Sequence, residues 1–327
     1  MHEPKPDLDT QIKLADRGSP SLPPDSASSL PPATHLIFVG EDGVRLGWRI
    51  FLYVGMGIVL FLLLSSFEPL ISPRGAGRLW RSMFLQAVLV LSCLLPAYVM
   101  AAIEKCPFGS YGFPSRKVGA WFGRGVLWGI LALSALMLLL WLMGALSFSS
   151  LSLHGPRILR FALFWAAFFL LVAVFEEFAF RGYSQFTLAQ GIGFWPAAGI
   201  LSFSFGGLHL WLNEGESAAG ALCAAMIALF FCFTLRRTGS LWFALGMHAS
   251  WDWGESYLYS VPDSGGTVAG HLLNSTLHGA GWLTGGSVGP EGSVLAFVVI
   301  AASWVVFDRI YPPEKPSHRD PEAASAG

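Results

Sequence analysis

Long apolar blocks separated by short polar connections run from about residue 50 to about residue 307. Most blocks hold roughly 18 or more residues, the length that an α-helix needs to cross a ~30 Å hydrocarbon layer. The strand alternation of a membrane barrel is missing, and helices satisfy their own backbone polar groups in lipid. The pattern therefore predicts an all-α, polytopic bundle of about eight transmembrane helices, at 50–67, 83–103, 125–146, 158–180, 195–211, 218–235, 240–259 and 294–307.

The two ends of the chain have a different composition. The first ~45 residues are rich in Pro, Ser and Asp and lack the basic start and apolar core of a secretory signal, which predicts a disordered tail. A second polar stretch, which starts at residue 308, predicts another disordered tail. The resulting organisation is an N-terminal tail at 1–46, three transmembrane helices in 47–150, a second helical group in 151–307 and a C-terminal tail at 308–327.

Composition and charge agree with a membrane protein. Of the 327 residues 54% are hydrophobic and only 13% are charged, whereas soluble domains carry about 25% charged residues. The formal net charge of -1 gives no basic field for nucleic acid, so the expected surroundings are the lipid bilayer. The four cysteines lie in or beside apolar blocks, which favours packing roles over a disulfide framework.

Basic residues are distributed unevenly between alternate connections. With the N-terminus inside, the inside segments hold 5, 4, 1, 2 and 3 Lys and Arg, which is 15 of the 20 in the chain. Basic residues favour the cytoplasmic side of a membrane. The sequence therefore predicts an inner or plasma membrane protein with cytoplasmic termini, and it places the long connection at 260–292, which has no Lys or Arg, outside.

Ionisable residues gather in the apolar blocks of the second half, although each costs at least ~2.5 kcal/mol in a membrane helix. They are Glu176, Glu177, Arg181, His209, His248, Asp252 and Glu255. Glu177 and Arg181 are four residues apart and are expected to pair, whereas Glu176 lies about 100° around the helix. Glu255 is close to a helix end and is interpreted as part of a solvated face.

Three helices could direct Glu176, His209 and His248 into one interior cavity. Ideal helices place these residues at different depths in the membrane, so their meeting is a hypothesis. Helix four could extend beyond the predicted span to about Gln190, and Gly191, Gly193 and Gly199 could loosen the start of helix five.

Three motifs occur in order on separate apolar helices: Glu176-Glu177-x-x-x-Arg181, Phe205-x-x-x-His209 and His248-x-x-x-Asp252. Together they resemble the CAAX protease and bacteriocin-processing (CPBP, or Abi) family of intramembrane peptidases. The resemblance covers roughly residues 158–260 and implies that 151–307 is a peptidase core whose site opens toward the cytoplasm. The last motif position is commonly Asn or Asp in this family, and here it is Asp252.

Peptide hydrolysis needs an activated water, a stabilised oxyanion and a proton for the leaving amine. On the resemblance, Glu176 is the general base, His209 holds the water, and His248 stabilises the oxyanion or donates the proton. Asp252 is expected to set the tautomer of His248. Glu177, Arg181 and Phe205 are structural or orienting residues.

A metal mechanism would use the same side chains, because Glu176, His209 and His248 match the ligand set of some catalytic zinc sites. The His-Glu-x-x-His stretch of many zinc peptidases is missing, which favours the glutamate mechanism. Either no cofactor is required or a divalent metal such as Zn²⁺ is bound.

The sequence thus predicts an intramembrane endopeptidase acting on a membrane-associated protein or peptide. One alternative is a non-catalytic immunity or regulatory membrane protein that keeps the motifs. The other is a proton-coupled transporter, for which internal repeats and intramembrane charges in both halves would be expected.

Overall fold

The structure, a computed structural model, describes residues 39–40, 43–71 and 77–312. Most of them are helical. The first group of helices is α1 (Leu46–Ser65), α2 (Glu68–Ile71), α3 (Arg78–Ile103) and α4 (Val118–Leu142). The second group is α5 (Pro156–Ala179), α6 (Gln185–Ile192), α7 (Phe194–Leu212), α8 (Ala218–Thr238), α9 (Trp242–Trp253), α10 (Gly281–Thr284) and α11 (Val294–Ile310).

In the described part of the chain, two short antiparallel sheets accompany the helices. β1 (Val39–Gly40) pairs with β2 (Gly43–Val44), and β3 (Leu146–Leu151) pairs with β4 (Leu273–Leu277). The third predicted span ended at residue 146, but α4 ends at Leu142 because the chain then enters β3. The β3–β4 pair joins the α4–α5 connection to the long connection that precedes α11.

The predicted helical membrane bundle is confirmed, but the count of about eight spans is not. Five helical segments of the described chain are long and apolar enough to cross a membrane. They are 46–70, 79–103, 118–142, 156–192 and 218–238. The helices at the other three predicted spans are short or less apolar: α9 has 12 residues and α11 has 17. Most of both predicted disordered tails lies outside the described residues, but residues 308–310 of the predicted C-terminal tail belong to α11.

The helix with the first motif continues beyond the predicted span. After α5 the chain forms a π-helical segment, Phe180–Ser184, and then α6. Gly182 has ψ -119°, which is not helical. The whole helical segment runs from Pro156 to Ile192, as the expected extension to about Gln190 requires. Such π segments are frequent at functional sites because they redirect side chains within a helix.

Helix α9, which carries the third motif, packs closely against α4 because glycines lie at their contact. A Cβ atom on Gly125 would lie 2.1 Å from the Phe243 carbonyl oxygen, and one on Gly246 would lie 2.2 Å from the Phe122 oxygen. A Cβ atom on Gly129 would lie 2.1 Å from the Ser250 hydroxyl. Small residues four apart allow helix backbones to approach in this way in membranes. The position of α9 thus depends on these glycines.

Gly125→Ala should therefore lower the melting temperature of the detergent-solubilised protein by several degrees, since overpacking costs about 1–3 kcal/mol. Gly123→Ala is the matched control, because the same methyl group on the same helix would meet no atom within 4 Å. Ala is a better helix former than Gly, so the control should be as stable as the wild type or slightly more stable. Equal melting temperatures for the two variants would contradict the close approach.

The connections between helices collect at two ends of the bundle. At one end, which we call the basic end, Gly112 of the α3–α4 connection accepts a hydrogen bond from Leu241 of the α8–α9 connection. Basic residues at this end include Arg116 and Lys117 of the α3–α4 connection and Arg237 in the last turn of α8. The opposite, loop end contains the α7–α8 connection (213–217) and the long connection at 259–293, joined where Ser287 donates a hydrogen bond to the Gly215 carbonyl.

A buried polar network near the basic end joins the first helices to the π segment. Arg49 on α1 donates two hydrogen bonds to Glu104, of 2.8 and 2.6 Å. The Tyr183 hydroxyl of the π segment donates to the same carboxylate at 2.6 Å. A bidentate arginine–carboxylate pair fixes both position and orientation. The network therefore anchors the segment that follows the first motif.

Candidate active site

The adjacent acids of the first motif point in different directions. The Glu177 side chain is fully buried and pairs with Arg181, whose guanidinium nitrogen is 3.2 Å from Glu177 Oε1. The Glu176 side chain is 22% exposed and lines an internal cavity. Neighbouring residues of a helix are about 100° apart, so one acid faces the protein and the other the cavity. The predicted Glu177–Arg181 pair is confirmed.

His248 lies among three carboxylates from two helices. Its Nδ1 is 2.8 Å from Glu177 Oε1, while its Nε2 is 3.3 Å from Asp252 Oδ2 and 3.6 Å from Glu176 Oε2. The Phe231 ring of α8 stacks on the imidazole, with ring centroids 5.8 Å apart. The ring is therefore held on one face and at both nitrogens. A neutral imidazole has a single N–H, so both nitrogens can donate only when His248 is protonated.

The contact between Glu177 and His248 changes the expected arrangement. Asp252 was expected to set the His248 tautomer, and Glu177, which was expected only to pair with Arg181, is the residue at Nδ1. Asp252, one helical turn after His248, lies at Nε2 together with Glu176. Glu177 thus joins Arg181 on its own helix to the histidine of the third motif.

His209 lines the same cavity without entering this carboxylate group. Its Nδ1 is 3.0 Å from the Phe205 carbonyl oxygen, one turn earlier on α7. The Phe205 ring contacts two side chains of the motifs. Its centre is 4.3 Å from the His209 ring centre and 4.6 Å from the Arg181 guanidinium carbon. Phe205 therefore connects the second motif to the first through ring contacts.

The cavity has a volume of about 280 Å³ and contains residues from all three motifs. Its apolar wall includes Phe168, Phe169 and Val172 of α5 and Ile227 and Phe231 of α8. A volume near 300 Å³ suits a small ligand or a few side chains of a peptide. Ideal helices place Glu176, His209 and His248 at different depths in the membrane, but all three line this cavity in the folded bundle.

At the loop end the cavity is bordered by residues that were not predicted as part of the site. Asn213 and Glu216 of the α7–α8 connection, and Asp263 and Glu291 of the long connection, line it. Thr267 lines it too and is exposed, so the cavity reaches the surface there. No pattern in the sequence of the long connection indicates that it folds back over the motif helices.

Two acids of the long connection have raised pKa values. Burial, with Asp252 and Glu291 nearby, raises the pKa of Asp263 well above its usual range. Burial and Asp252 also raise the pKa of Glu291. Because carboxylates in a cluster repel one another when ionised, the group gains from a proton or another cation.

The interpretation of Glu255 as a solvated residue is wrong. Its side chain is fully buried, and its Oε2 accepts a 2.8 Å hydrogen bond from Trp251 Nε1. After α9 the chain forms a second π-helical segment, Gly254–Leu258, which is covered by the long connection. The helix end that looked exposed in the sequence is therefore enclosed.

The predicted metal ligands are not gathered as a metal site. In the described part of the chain, Glu176, His209 and His248 do not place one ligand atom each within 4.8 Å of the others. Among the residues that the structure describes, the one group that does so consists of Glu255, Asp263 and Glu291. Both His248 nitrogens already face carboxylates. This arrangement fits a glutamate mechanism better than a three-ligand zinc site.

Comparisons with known proteins agree with the motifs. The model of the Rce1-like family, described as type II CAAX prenyl endopeptidase Rce1-like, matches residues 158–254. Searches of curated proteins and of solved structures gave no significant match. The matched segment extends from α5 to the end of α9 and includes every motif residue. The resemblance to the CAAX protease and bacteriocin-processing family is therefore confirmed for residues 158–254, the Rce1-like segment of the chain.

Proposed function

We propose that the chain is an intramembrane endopeptidase that hydrolyses a peptide bond of a membrane-associated protein or peptide. The observation that carries the proposal is the approach of Glu176 Oε2 to within 3.6 Å of His248 Nε2 in a largely apolar cavity. A carboxylate and an imidazole at this separation can act on the same water and the same scissile carbonyl.

In this proposal Glu176 removes a proton from water as the water oxygen attacks the carbonyl carbon. His248 Nε2–H stabilises the oxyanion of the tetrahedral intermediate, as a preorganised donor does in a water-poor site. The oxyanion then collapses and the C–N bond breaks, while the proton taken by Glu176 passes to the leaving amine. His209, whose Nδ1 faces a carbonyl oxygen, has Nε2 available to position the water.

Glu177, Arg181 and Phe205 act as positioning residues. Glu177 fixes His248 through Nδ1, so that Nε2 is directed at Glu176 and Asp252. Arg181 offsets the charge of Glu177, and Phe205 holds Arg181 and His209 in place. Asp252 assists by keeping a proton on Nε2. Such supporting contacts commonly change activity by 10–100-fold when they are removed, by analogy with metal-site histidines.

The substrate class follows from the cavity wall. Five aromatic or aliphatic residues of α5 and α8 line it, so it suits an apolar peptide segment or a lipid-modified one. A prenylated CAAX protein is one such substrate, on the family resemblance. An unmodified membrane peptide with apolar residues at the cleavage site is the other.

The proposal is tested by incubating the purified, lipid-reconstituted protein with a library of membrane peptides, prenylated and unmodified. Products identified by mass spectrometry should accumulate with wild-type protein and not with Glu176→Gln. A zinc chelator such as 1,10-phenanthroline separates the mechanisms: activity that survives it in a metal-free sample supports the glutamate base. Cleavage that is equal for both proteins would contradict the proposed site.

The side of the membrane to which the cavity opens is a separate question. Its exposed lining belongs to the loop end, whereas Arg116, Lys117 and Arg237 lie at the basic end. The basic-residue rule places the basic end in the cytoplasm, so the cavity would open outward. The family resemblance implies the opposite opening. We infer the outward opening, because the count of 15 against 5 basic residues is a property of this chain.

Topology reporters should decide this point. A reporter fused after Gly327 should give a cytoplasmic signal, and one inserted at an exposed position of the long connection, such as Gly279, should give an external signal. Insertion into the α3–α4 connection is the internal control and should report the cytoplasm. A cytoplasmic signal from the long connection would overturn the outward opening.

A further inference from the structure

Three carboxylates from separate parts of the chain meet beside the cavity. Glu255 lies in the π segment after α9, Asp263 in the following loop, and Glu291 just before α11. One ligand oxygen from each lies within 4.8 Å of the other two. None of the ion pairs among the described residues involves these acids, and the connection at 259–293 contains no Lys or Arg.

One of these carboxylates has a buried oxygen without a partner. Glu255 is fully buried, and while its Oε2 accepts a hydrogen bond from Trp251, its Oε1 has no hydrogen-bond partner among the described residues. An unpaired buried carboxylate oxygen is costly. Since Glu255 belongs to the three-acid group, a cation there would supply the missing interaction.

The other two acids are each held by a neighbouring serine. Ser256 donates a 2.9 Å hydrogen bond to Asp263 Oδ2. Ser264 donates through its backbone N–H and its hydroxyl to Glu291 Oε2, at 3.2 and 2.9 Å. These bonds fix both carboxylates while leaving one oxygen of each for a further ligand.

We propose that Glu255, Asp263 and Glu291 bind one Ca²⁺ ion. A site made only of carboxylate oxygens favours a hard cation over Zn²⁺ or Cu²⁺. Two ligand oxygens of one ion are separated by at most twice the ion–oxygen distance. This maximum separation is about 4.6–5.2 Å for Ca²⁺ and about 4.2 Å for Mg²⁺. All three oxygens lie within 4.8 Å of one another, so one Ca²⁺ ion can reach them together. Ca²⁺ also accepts irregular oxygen geometry, whereas Mg²⁺ demands a near-ideal octahedron.

The ion would hold the long connection onto the helix that carries the third motif. Glu255 follows α9 directly, whereas Asp263 and Glu291 belong to the connection that borders the cavity. Binding would thus order one wall of the cavity at its surface opening. With three protein ligands and water completing the shell, we expect a dissociation constant of about 10⁻⁴–10⁻³ M, as in extracellular calcium modules.

The test uses full-length protein in detergent after treatment with EDTA. Equilibrium dialysis with radioactive calcium should show saturable binding of about one Ca²⁺ per chain, and Ca²⁺ at about ten times its dissociation constant should raise the melting temperature by about 2 °C or more. Mg²⁺ at the same concentration should give a smaller rise. An equal response to Mg²⁺ would contradict the choice of Ca²⁺.

Asp263→Asn and Glu291→Gln should each weaken Ca²⁺ binding about tenfold or more, because each removes one of three charged ligands. Without divalent ions both variants should be at least as stable as the wild type, since one charge leaves a repulsive group. Weaker Ca²⁺ binding without a loss of stability distinguishes loss of the site from misfolding. Glu214→Gln, at an exposed acid of the same end of the bundle, is the matched control and should bind Ca²⁺ like the wild type.

Absence of saturable binding to the wild type up to about 10 mM Ca²⁺, well above the expected dissociation constant, would overturn the site. Unchanged binding in both variants would do the same. The site does not depend on the proposed peptidase activity, because binding and melting are measured without substrate.

Discussion

Glu176→Gln should abolish peptide hydrolysis while leaving the protein folded. A general base contributes about 10²–10⁴-fold to a rate. Among the described residues, Glu176 and Asp252 are the cavity carboxylates that face His248 Nε2, and Asp252 is committed to that nitrogen in the proposed mechanism. Glutamine keeps the size and polarity of glutamate, and the Glu176 side chain is partly exposed, so little stability should be lost. The measurement is the initial rate of product formation, with melting temperature as the check of folding.

His209→Ala and His248→Ala should each lower the rate nearly as far, and the triple variant should be scarcely worse than a single one. Residues that act as one catalytic unit give losses that do not add. Glu214→Gln removes a carboxylate from an exposed position and should keep the wild-type rate. A folded Glu176→Gln protein that cleaves substrate at the wild-type rate would exclude the proposed peptidase site.

Local features of the site were predictable from the sequence. The four-residue spacing of Glu177 and Arg181 is enough to predict their pairing, because one helical turn separates them. The rarity of charge in membrane helices was enough to select the three motif segments. Both arguments depend on features within single helices and need no knowledge of how the helices pack.

Contacts between helices were harder to predict from the sequence. Glu177 and His248 are 71 residues apart, and their 2.8 Å contact depends on how α9 packs against α4 and α5. The glycines that set this packing were present in the sequence, but their partners were not identifiable from one chain. The role expected for Asp252 therefore had to be divided between Asp252 and Glu177.

The long connection was predicted least well. Its lack of basic residues predicted an external loop. That lack does not indicate that the loop covers Glu255 or that it brings Asp263 and Glu291 to the cavity. Glycine-rich loops have weak local preferences, so tertiary contacts such as the β3–β4 pair determine their path. The acid cluster is a consequence of that path.

Removing one partner of the buried pair should strongly destabilise the protein. The Arg181 and Glu177 side chains are 1% and 0% exposed. Arg181→Met therefore leaves a buried carboxylate without its arginine, and Glu177→Gln leaves a buried guanidinium without its carboxylate. Breaking a buried pair costs about 3–5 kcal/mol in soluble interiors. Arg160→Met, which removes an exposed arginine from the same helix, is the matched control and should melt like the wild type.

The double variant Glu177→Gln/Arg181→Met distinguishes a charge clamp from a catalytic support. Arg181 Nε and one of its terminal nitrogens, together with Glu177 Oε2, are buried without hydrogen-bond partners among the described residues. Removing both charges relieves these unpaired groups, so the double variant should be more stable than either single variant. Its activity should stay low, because His248 Nδ1 no longer faces a carboxylate. Recovery of stability together with full activity would show that Glu177 serves only the pair, whereas two fully stable single variants would show that the pair is not needed for folding.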